Sequence, residues 1–123
     1  MTGYKPGDVV LVAYPFEERA GGRRRPALVV SPAQYNDATG ELVVAQITSR
    51  MSAPPRPGDC RIQDWKDAKL PRAAMVRSRL ATLQSVLVLR QLGQLTSRDL
   101  QAAMAELNRA LGWANGPPDQ ESR

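Results

Sequence analysis

The fold is decided by the stretch Arg23–Pro32, which reads RRRPALVVSP. Three arginines lead into an apolar run with two valines, and valine is β-branched and favours strands. A second β-rich run, Leu42–Thr48, ends in a threonine that is followed by Ser49. If the two strands are neighbours, guanidinium groups and two hydroxyls converge on one side of a small sheet. Such a cluster is suited to bind an anion such as phosphate.

Composition limits the classes of protein that this chain can be. Its 123 residues are enough for one domain with one modest core. Seventeen Lys and Arg against 12 Asp and Glu give a net charge of +5 and a sequence pI near 10.0. This balance fits a polyanionic partner, which can be a nucleic acid, an acidic protein or a membrane surface.

Several kinds of chemistry are excluded by the residue types. The chain has no histidine and a single cysteine, Cys60, so a zinc site and a Ser-His or Cys-His nucleophile are excluded, and we expect neither metal nor cofactor. Cys60 is expected to be a small buried residue. No window approaches the roughly 18 apolar residues of a membrane span, and Met1–Pro6 does not resemble a signal peptide. We expect a soluble cytoplasmic protein.

Short apolar runs between turn formers predict a mainly β fold. The pattern indicates strands at Val9–Tyr14, Ala27–Ser31, Leu42–Thr48 and Cys60–Gln63, and around Met75–Val76. Tyr35–Gly40 is rich in turn formers and is expected to be a turn. Asp64–Pro71 is expected to be a turn with Trp65 packed on the core, and Ser85–Leu92 is compatible with either a strand or a short helix.

One amphipathic helix is predicted near the C-terminus. Thr96 and Asp99 have the spacing of a capping box, and Gly112 is expected to end the helix as its C-cap. Apolar residues recur at helical spacing, namely Leu100, Ala103, Met104, Leu107, Ala110 and Leu111. Short strands followed by one helix predict a compact β-barrel with helical cover, in one domain at residues 1–113. Residues 114–123 are expected to form a disordered tail.

Several separated motifs resemble those of one protein family. They occur in order along the chain, at Gly7–Phe16, Arg25–Pro32, Tyr35–Gly40 and Ile47–Ser49. Together they resemble the MazF/PemK family of type II toxin endoribonucleases. The resemblance implies a small SH3-like β-barrel, of the MazF/CcdB type, that forms a homodimer. It also implies metal-independent cleavage of single-stranded RNA at short sequences, and a cognate antitoxin whose acidic C-terminal segment crosses the RNA groove.

The same resemblance assigns the catalytic roles to Arg25 and Thr48. An arginine immediately before this proline acts at the scissile phosphate in the family, and Pro26 restricts the Arg25 backbone to the extended region. The Thr48 hydroxyl is expected to bind a phosphate oxygen or the ribose hydroxyl. RNA supplies its own nucleophile, the 2′-hydroxyl, so that positioning and charge stabilisation suffice for cleavage.

The remaining site predictions concern RNA binding and proton transfer. Residues expected to bind the RNA backbone are Arg19, Arg23, Arg24 and Ser49, and a second basic cluster contains Lys66, Lys69, Arg72, Arg77 and Arg79. This second cluster suits either RNA or an acidic antitoxin segment. An arginine stays protonated and is a poor general base, so a loop carboxylate, Glu17 or Glu18, is the candidate base.

Two alternatives stay open. The chain can be a non-catalytic barrel toxin like the gyrase poison CcdB, or an inactive relative that binds RNA or an antitoxin. Relatives in the family commonly have glycine where Lys69 stands and serine where Ala74 stands. These departures leave the catalytic pair intact.

Overall fold

The backbone forms one curled, antiparallel sheet of six strands with two helices. A computed structural model describes residues 2–13, 24–51 and 54–112. The strands are β1 (Asp8–Ala13), β2 (Arg24–Val29), β3 (Glu41–Thr48), β4 (Cys60–Arg61), β5 (Met75–Gln84) and β6 (Arg90–Gln94). Their order in the sheet is β4-β5-β3-β2-β1-β6, and every pairing is antiparallel. The predicted fold class, a mainly β barrel with a C-terminal helix, is confirmed.

Both faces of the sheet are buried, because alternate residues along each strand belong to different apolar clusters. A first cluster lies on the face covered by the C-terminal helix and contains Val9, Leu28, Ala45, Ile47, Val76, Leu95 and Ala103. A second cluster lies on the opposite face and contains Val10, Val12, Ala27, Val29, Leu42, Val44, Ala81 and Leu83. Side chains of successive strand residues point to opposite faces, so near-continuous apolar strands fill both clusters.

Strand β2 begins three residues earlier than predicted and includes the arginine–proline pair. Proline lacks an N–H donor and cannot take a full place in a central ladder. Pro26 lies opposite Leu11 of β1, while the ladder between β2 and β3 extends from Ala27 to Val29. The proline therefore lies just outside the β2–β3 ladder, where its missing donor has little cost.

The predicted turn at Tyr35–Gly40 is wrong, because this segment is a helix. Helix α1 spans Ala33–Thr39. Pro32 is its N-cap, and Gly40 ends it at a φ of 72°, in the left-handed region that glycine adopts without strain. Asn36 is fully buried, and its Nδ2 donates hydrogen bonds to the backbone oxygens of Ser31 at 3.1 Å and of Tyr4 at 3.0 Å. A residue that looked like a turn former holds the helix against the sheet.

In the middle of the chain the predicted strands are present, but their first and last residues differ from the prediction. The strand predicted at Cys60–Gln63 is limited to two residues, and the strand around Met75 extends to Gln84. The ambiguous Ser85–Leu92 stretch contains a 3-10 helix, Ser85–Leu87, before β6 begins at Arg90. Trp65 packs on the first cluster as predicted.

The second helix, α2, spans Ser97–Ala110 with Thr96 as its N-cap. No side chain caps its N-terminus, so the predicted capping box is wrong. Gly112 follows the C-cap residue Leu111 and has a φ of 83°. The apolar stripe is buried at Ala103 and Leu107 but ends there, because Ala110 and Leu111 are exposed. Within the described residues, no helix is long and apolar enough to cross a membrane.

The capping-box prediction failed because Asp99 serves another segment. Its carboxylate is 2% exposed and accepts the backbone N–H of Gln63 at 2.9 Å and of Asp64 at 2.7 Å. These bonds tie the segment after β4 to the first turn of α2. The predicted disordered tail, residues 114–123, lies outside the described residues.

Candidate functional site

The structure brings the two predicted catalytic residues to adjacent strands. Ala27–Val29 pair antiparallel with Val44–Gln46, and continuing this register by two residues brings Arg25 opposite Thr48. Neighbouring strands lie about 4.8 Å apart, and residues opposite each other point to the same face. The two residues thus lie at the same end of neighbouring strands, and the convergence of a guanidinium group and a hydroxyl stays a prediction.

The pair lies on the face of the second apolar cluster. Arg25 precedes Ala27 and Val29 at the two-residue period of a strand, and Thr48 follows Val44 at the same period. Arg25 is half-buried, and Thr48 is 8% exposed. A guanidinium group in such a site loses part of its hydration and interacts more strongly with an anion than one in open solvent.

The Thr48 hydroxyl has a proton to donate. Its Oγ1 accepts the backbone N–H of Arg50 at 3.1 Å, which leaves the hydroxyl hydrogen for another acceptor. The hydroxyl is thus held by the backbone and can face an oxyanion with its hydrogen.

Two further residues extend this line across the sheet. Thr48 pairs with Met75 of β5, and Met75 pairs on its other side with Arg61 of β4. Residues paired in this way share a face, so that Arg61, Met75 and Thr48 form one row over three strands. Arg25 would continue this row on β2 if the β2–β3 register extended to it. The position of Arg61 in this row could not be predicted from the sequence, because it depends on an irregular register between Ala45 and Ile47.

The other predicted RNA-binding residues are distributed differently. Arg24 is exposed and opposite Ala13, on the other face of the strand from Arg25. Ser49 is exposed directly after β3. Arg19 and Arg23, and the candidate bases Glu17 and Glu18, lie outside the described residues.

The second basic cluster is divided among different contacts. The Arg77 Nε lies 3.8 Å from the Asp59 carboxylate, which is buried and also accepts the backbone N–H of Arg56 at 2.8 Å. The Lys66 ammonium lies 5.5 Å from the centre of the Trp65 ring, a cation–π distance. Lys69, Arg72 and Arg79 are exposed. The role of this cluster in binding RNA or an acidic segment stays a prediction.

Carboxylates near β4 hold local structure. Arg98 donates to both Asp64 oxygens, from Nε at 2.8 Å and from Nη2 at 2.7 Å, and the Thr96 hydroxyl donates at 2.7 Å. The hydrogen bonds from Arg98 and then Thr96 lower the pKa of Asp64 to about 2. An acid of this strength is a weak proton acceptor, so Asp64 is a poor candidate for a general base. The described residues contain no group of three or more acidic or cysteine side chains arranged to hold a metal ion.

The position of Lys69 explains one departure from the family pattern. Its φ is 65°, in the left-handed region that glycine occupies without the clash of a Cβ atom. Ala74, the second departure, is 5% exposed and belongs to the first cluster. Neither substitution lies between Arg25 and Thr48.

A small cleft opens where β3, β4 and β5 end. Its volume is about 200 Å³. The residues that line it are Met51, Arg61, Ile62, Gln63, Trp65, Ala73 and Ala74. A wider groove of about 510 Å³ runs between β4 and α2 and shares Arg61 and Gln63 with the cleft.

Comparison with known protein families shows to which family the chain belongs. The sequence profile of the family described as "PemK-like, MazF-like toxin of type II toxin-antitoxin system" matches residues 5–111. The chain belongs to this toxin family. A comparison with curated protein sequences gave no significant match.

Solved structures of this toxin family share the fold. MazF from Deinococcus radiodurans (Form-I) is 28% identical, with a TM-score of 0.69 over 89% of this chain and 96% of that chain. The MazE–MazF structure from the same organism (Form-III) is 30% identical, with a TM-score of 0.68 over 89% and 96% of the two chains. A mycobacterial endoribonuclease in complex with its cognate antitoxin is 21% identical, with a TM-score of 0.72 over the same shares. At that identity the last likeness shows the fold alone.

Proposed function

We propose that this toxin is an endoribonuclease that cleaves single-stranded RNA at short sequences and thereby inhibits translation and growth. The observation that supports the proposal is that Arg25 and Thr48 lie at the same end of the neighbouring strands β2 and β3. Membership of the toxin family supports it. We also propose that residues 1–113 form the single toxin domain and that it acts on RNA in the cytoplasm.

The reaction begins when the ribose 2′-hydroxyl attacks the neighbouring phosphorus. The 2′-hydroxyl loses its proton, the bond from phosphorus to the 5′-oxygen breaks, and that oxygen takes a proton as it leaves. The products are a cyclic phosphate on one fragment and a 5′-hydroxyl on the other. RNA contains this nucleophile and DNA does not, so the protein has only to position the strand and stabilise charge.

Arg25 and Thr48 supply the charge stabilisation in this proposal. The Arg25 guanidinium donates parallel hydrogen bonds to the non-bridging phosphate oxygens, which gain negative charge in the transition state. The Thr48 hydroxyl, already held by the backbone of Arg50, donates its hydrogen to a phosphate oxygen. Glu17 or Glu18 remains our proposed base, and Arg19, Arg23, Arg24 and Ser49 remain our proposed contacts to the RNA backbone.

The experiment compares purified wild-type protein with Arg25→Ala and Thr48→Val on RNA in the presence of EDTA. Wild type is expected to cleave, and loss of a preorganised donor is expected to lower the rate by roughly a hundredfold or more for Arg25→Ala. Replacement of the 2′-hydroxyl at the cut site by hydrogen is expected to abolish cleavage. The matched control is Arg109→Gln, since this arginine is on α2, on the opposite side of the sheet, and pairs with Glu106 at 2.7 Å.

Two results would overturn the proposal. One is cleavage by both site variants at the rate of wild type. The other is toxicity without cleavage of RNA, together with inhibition of gyrase, which would identify a toxin of the CcdB kind.

We propose two protein partners for the toxin. One is a cognate antitoxin whose acidic C-terminal segment crosses the RNA groove, and the net charge of +5 favours such a segment. The other is a second copy of the chain, because three apolar side chains after β5 are strongly exposed, at 81% for Val86, 57% for Leu87 and 49% for Leu89. Light scattering of wild type and Leu87→Glu tests the homodimer, which predicts twice the chain mass for wild type and a smaller mass for the variant.

A further inference from the structure

The cleft at the end of β3, β4 and β5 adjoins the proposed catalytic pair. Thr48 and Arg61 flank Met75 on its two sides, and Arg61 lines the cleft. Two strand spacings separate Thr48 from Arg61, or about 10 Å between backbones. Met51, three residues after Thr48, also lines the cleft. A strand of RNA held at Thr48 therefore has the cleft within reach of a neighbouring nucleotide.

The walls of the cleft match the chemistry of a nucleobase. Trp65 offers an aromatic ring, and Arg61 offers a planar guanidinium that lies 3.9 Å from the Met51 sulfur, measured from Nη1. Unstacked bases of single-stranded RNA are bound by stacking on aromatic rings and on arginine planes. Gln63 adds an exposed amide, which can both donate to and accept from a base edge.

The size of the cleft limits the ligand to about one ring system. Its volume of about 200 Å³ is below the roughly 300–1,000 Å³ of pockets that enclose a drug-sized molecule. Ala73 and Ala74 leave this space open because their side chains end at Cβ. A larger residue at either position would fill part of the cleft.

The segment that forms the cleft is held in place before any ligand binds. Asp99 accepts the backbone N–H of Gln63 and of Asp64, and Arg98 holds the Asp64 carboxylate. Trp65, next in the chain, is half-buried against the first cluster. A preorganised wall loses little conformational entropy on binding.

We propose that this cleft is a subsite for one base of the RNA, on the nucleotide next to the cleaved bond, and that it contributes to the choice of cleavage sequence. The proposal rests on the proposed ribonuclease function. Trp65 and Arg61 stack on the base, and the Gln63 amide contacts its edge. The charge of Arg61 also places a cation beside the phosphate that follows.

The test combines a protein variant that fills the cleft with an RNA that lacks one base, each alone and both together. Ala73→Leu places a larger side chain in the opening at an exposed position. Ala38→Leu is the matched control, because it makes the same change at an exposed position of α1 that does not line the cleft. The RNA is a short oligonucleotide around the mapped cut site, with an abasic ribose at each flanking position in turn. If no cut can be mapped, short oligouridine and oligoadenosine replace it. Both kcat/KM and the affinity for a 2′-deoxy, uncleavable version are measured.

At one flanking position, the abasic ribose is expected to lower kcat/KM and affinity of wild type by roughly ten- to a hundredfold, the range found for one stacked base. Ala73→Leu is expected to show a similar loss on the intact RNA, and no further loss on the abasic RNA. Ala38→Leu is expected to behave like wild type. The position at which the two losses fail to add identifies the bound nucleotide.

The outcomes separate the subsite from the function. If wild type cleaves and the abasic ribose lowers kcat/KM of Ala73→Leu by as much as that of wild type, the subsite is refuted while the ribonuclease function stands. If wild type cleaves nothing but the non-additive losses appear in the affinities, the function fails and the subsite stands. If RNA binding is unchanged and Ala73→Leu weakens only the complex with the antitoxin, the cleft binds protein and the proposal is wrong.

Discussion

Asp99 connects α2 to the segment that follows β4, and its replacement by alanine is the most informative test of the fold. The carboxylate is 2% exposed and accepts two backbone N–H groups, at 2.9 Å from Gln63 and 2.7 Å from Asp64. Hydrogen bonds to a charged group contribute about 1.5–3 kcal/mol each, so the two bonds contribute about 3–6 kcal/mol. Water can reach part of this segment after the change, and we therefore expect a loss of about 3 kcal/mol.

The assay is urea unfolding of wild type, Asp99→Ala and Asp99→Asn, with Asp67→Ala as the control. Asp67 is exposed in the same segment, so its replacement removes the same charge without the two backbone bonds. The asparagine keeps one acceptor oxygen and is expected to lose about 1–2 kcal/mol. Amide hydrogen exchange at Gln63 and Asp64 should become faster in Asp99→Ala. A free energy of unfolding equal to that of Asp67→Ala would refute the role of these bonds.

Three further predictions test local contacts. Arg98 lowers the pKa of Asp64 to about 2, so this pair stabilises the fold above the ordinary pKa of about 3.9 and loses its effect as pH falls towards 2. In urea unfolding, the difference in unfolding free energy between wild type and Arg98→Gln should therefore shrink over that pH range. A constant difference would contradict the pairing. Gly93→Ala should lower the free energy of unfolding by about 2–3 kcal/mol, as expected for an overpacked site, because the new Cβ would lie 2.4 Å from the backbone oxygen of Ala68. An unchanged urea midpoint would contradict that contact. Lys69→Gly should stabilise by up to about 1 kcal/mol, since a φ of 65° is strained for lysine, and a lower thermal midpoint than wild type would contradict the strain.

The strands of this fold could be predicted from composition because β-branched residues are concentrated in them. Val9, Val10, Val29 and Val44 are all fully buried, and the apolar runs that contain them became β1, β2 and β3. The placement of Arg25 and Thr48 at the same end of the sheet followed from two neighbouring strands of opposite direction. These features depend only on the local pattern of residues and on the pairing of β2 with β3.

Other features depend on tertiary contacts that a local pattern does not reveal. Asn36 looks like a turn residue, yet its side chain hydrogen bonds to Ser31 and Tyr4 stabilise a helix in the segment. Asp99 has the spacing of a helix cap, but its carboxylate faces backbone groups about 35 residues earlier. Arg61 joins the row of Thr48 only through two strand pairings, one of which contains an irregularity.

Among the described residues the sheet has two edge strands, β4 and β6, and each has features that oppose pairing with another strand. Strand β4 is only two residues long, too short to act as a template for a foreign strand. Strand β6 carries the polar residues Arg90, Gln91 and Gln94, and its pairing with β1 shifts between Val9 and Val10. Polar and irregular edges of this kind oppose edge-to-edge association of sheets. The fold therefore resists amyloid-like aggregation at the two places where an open sheet is most vulnerable to it.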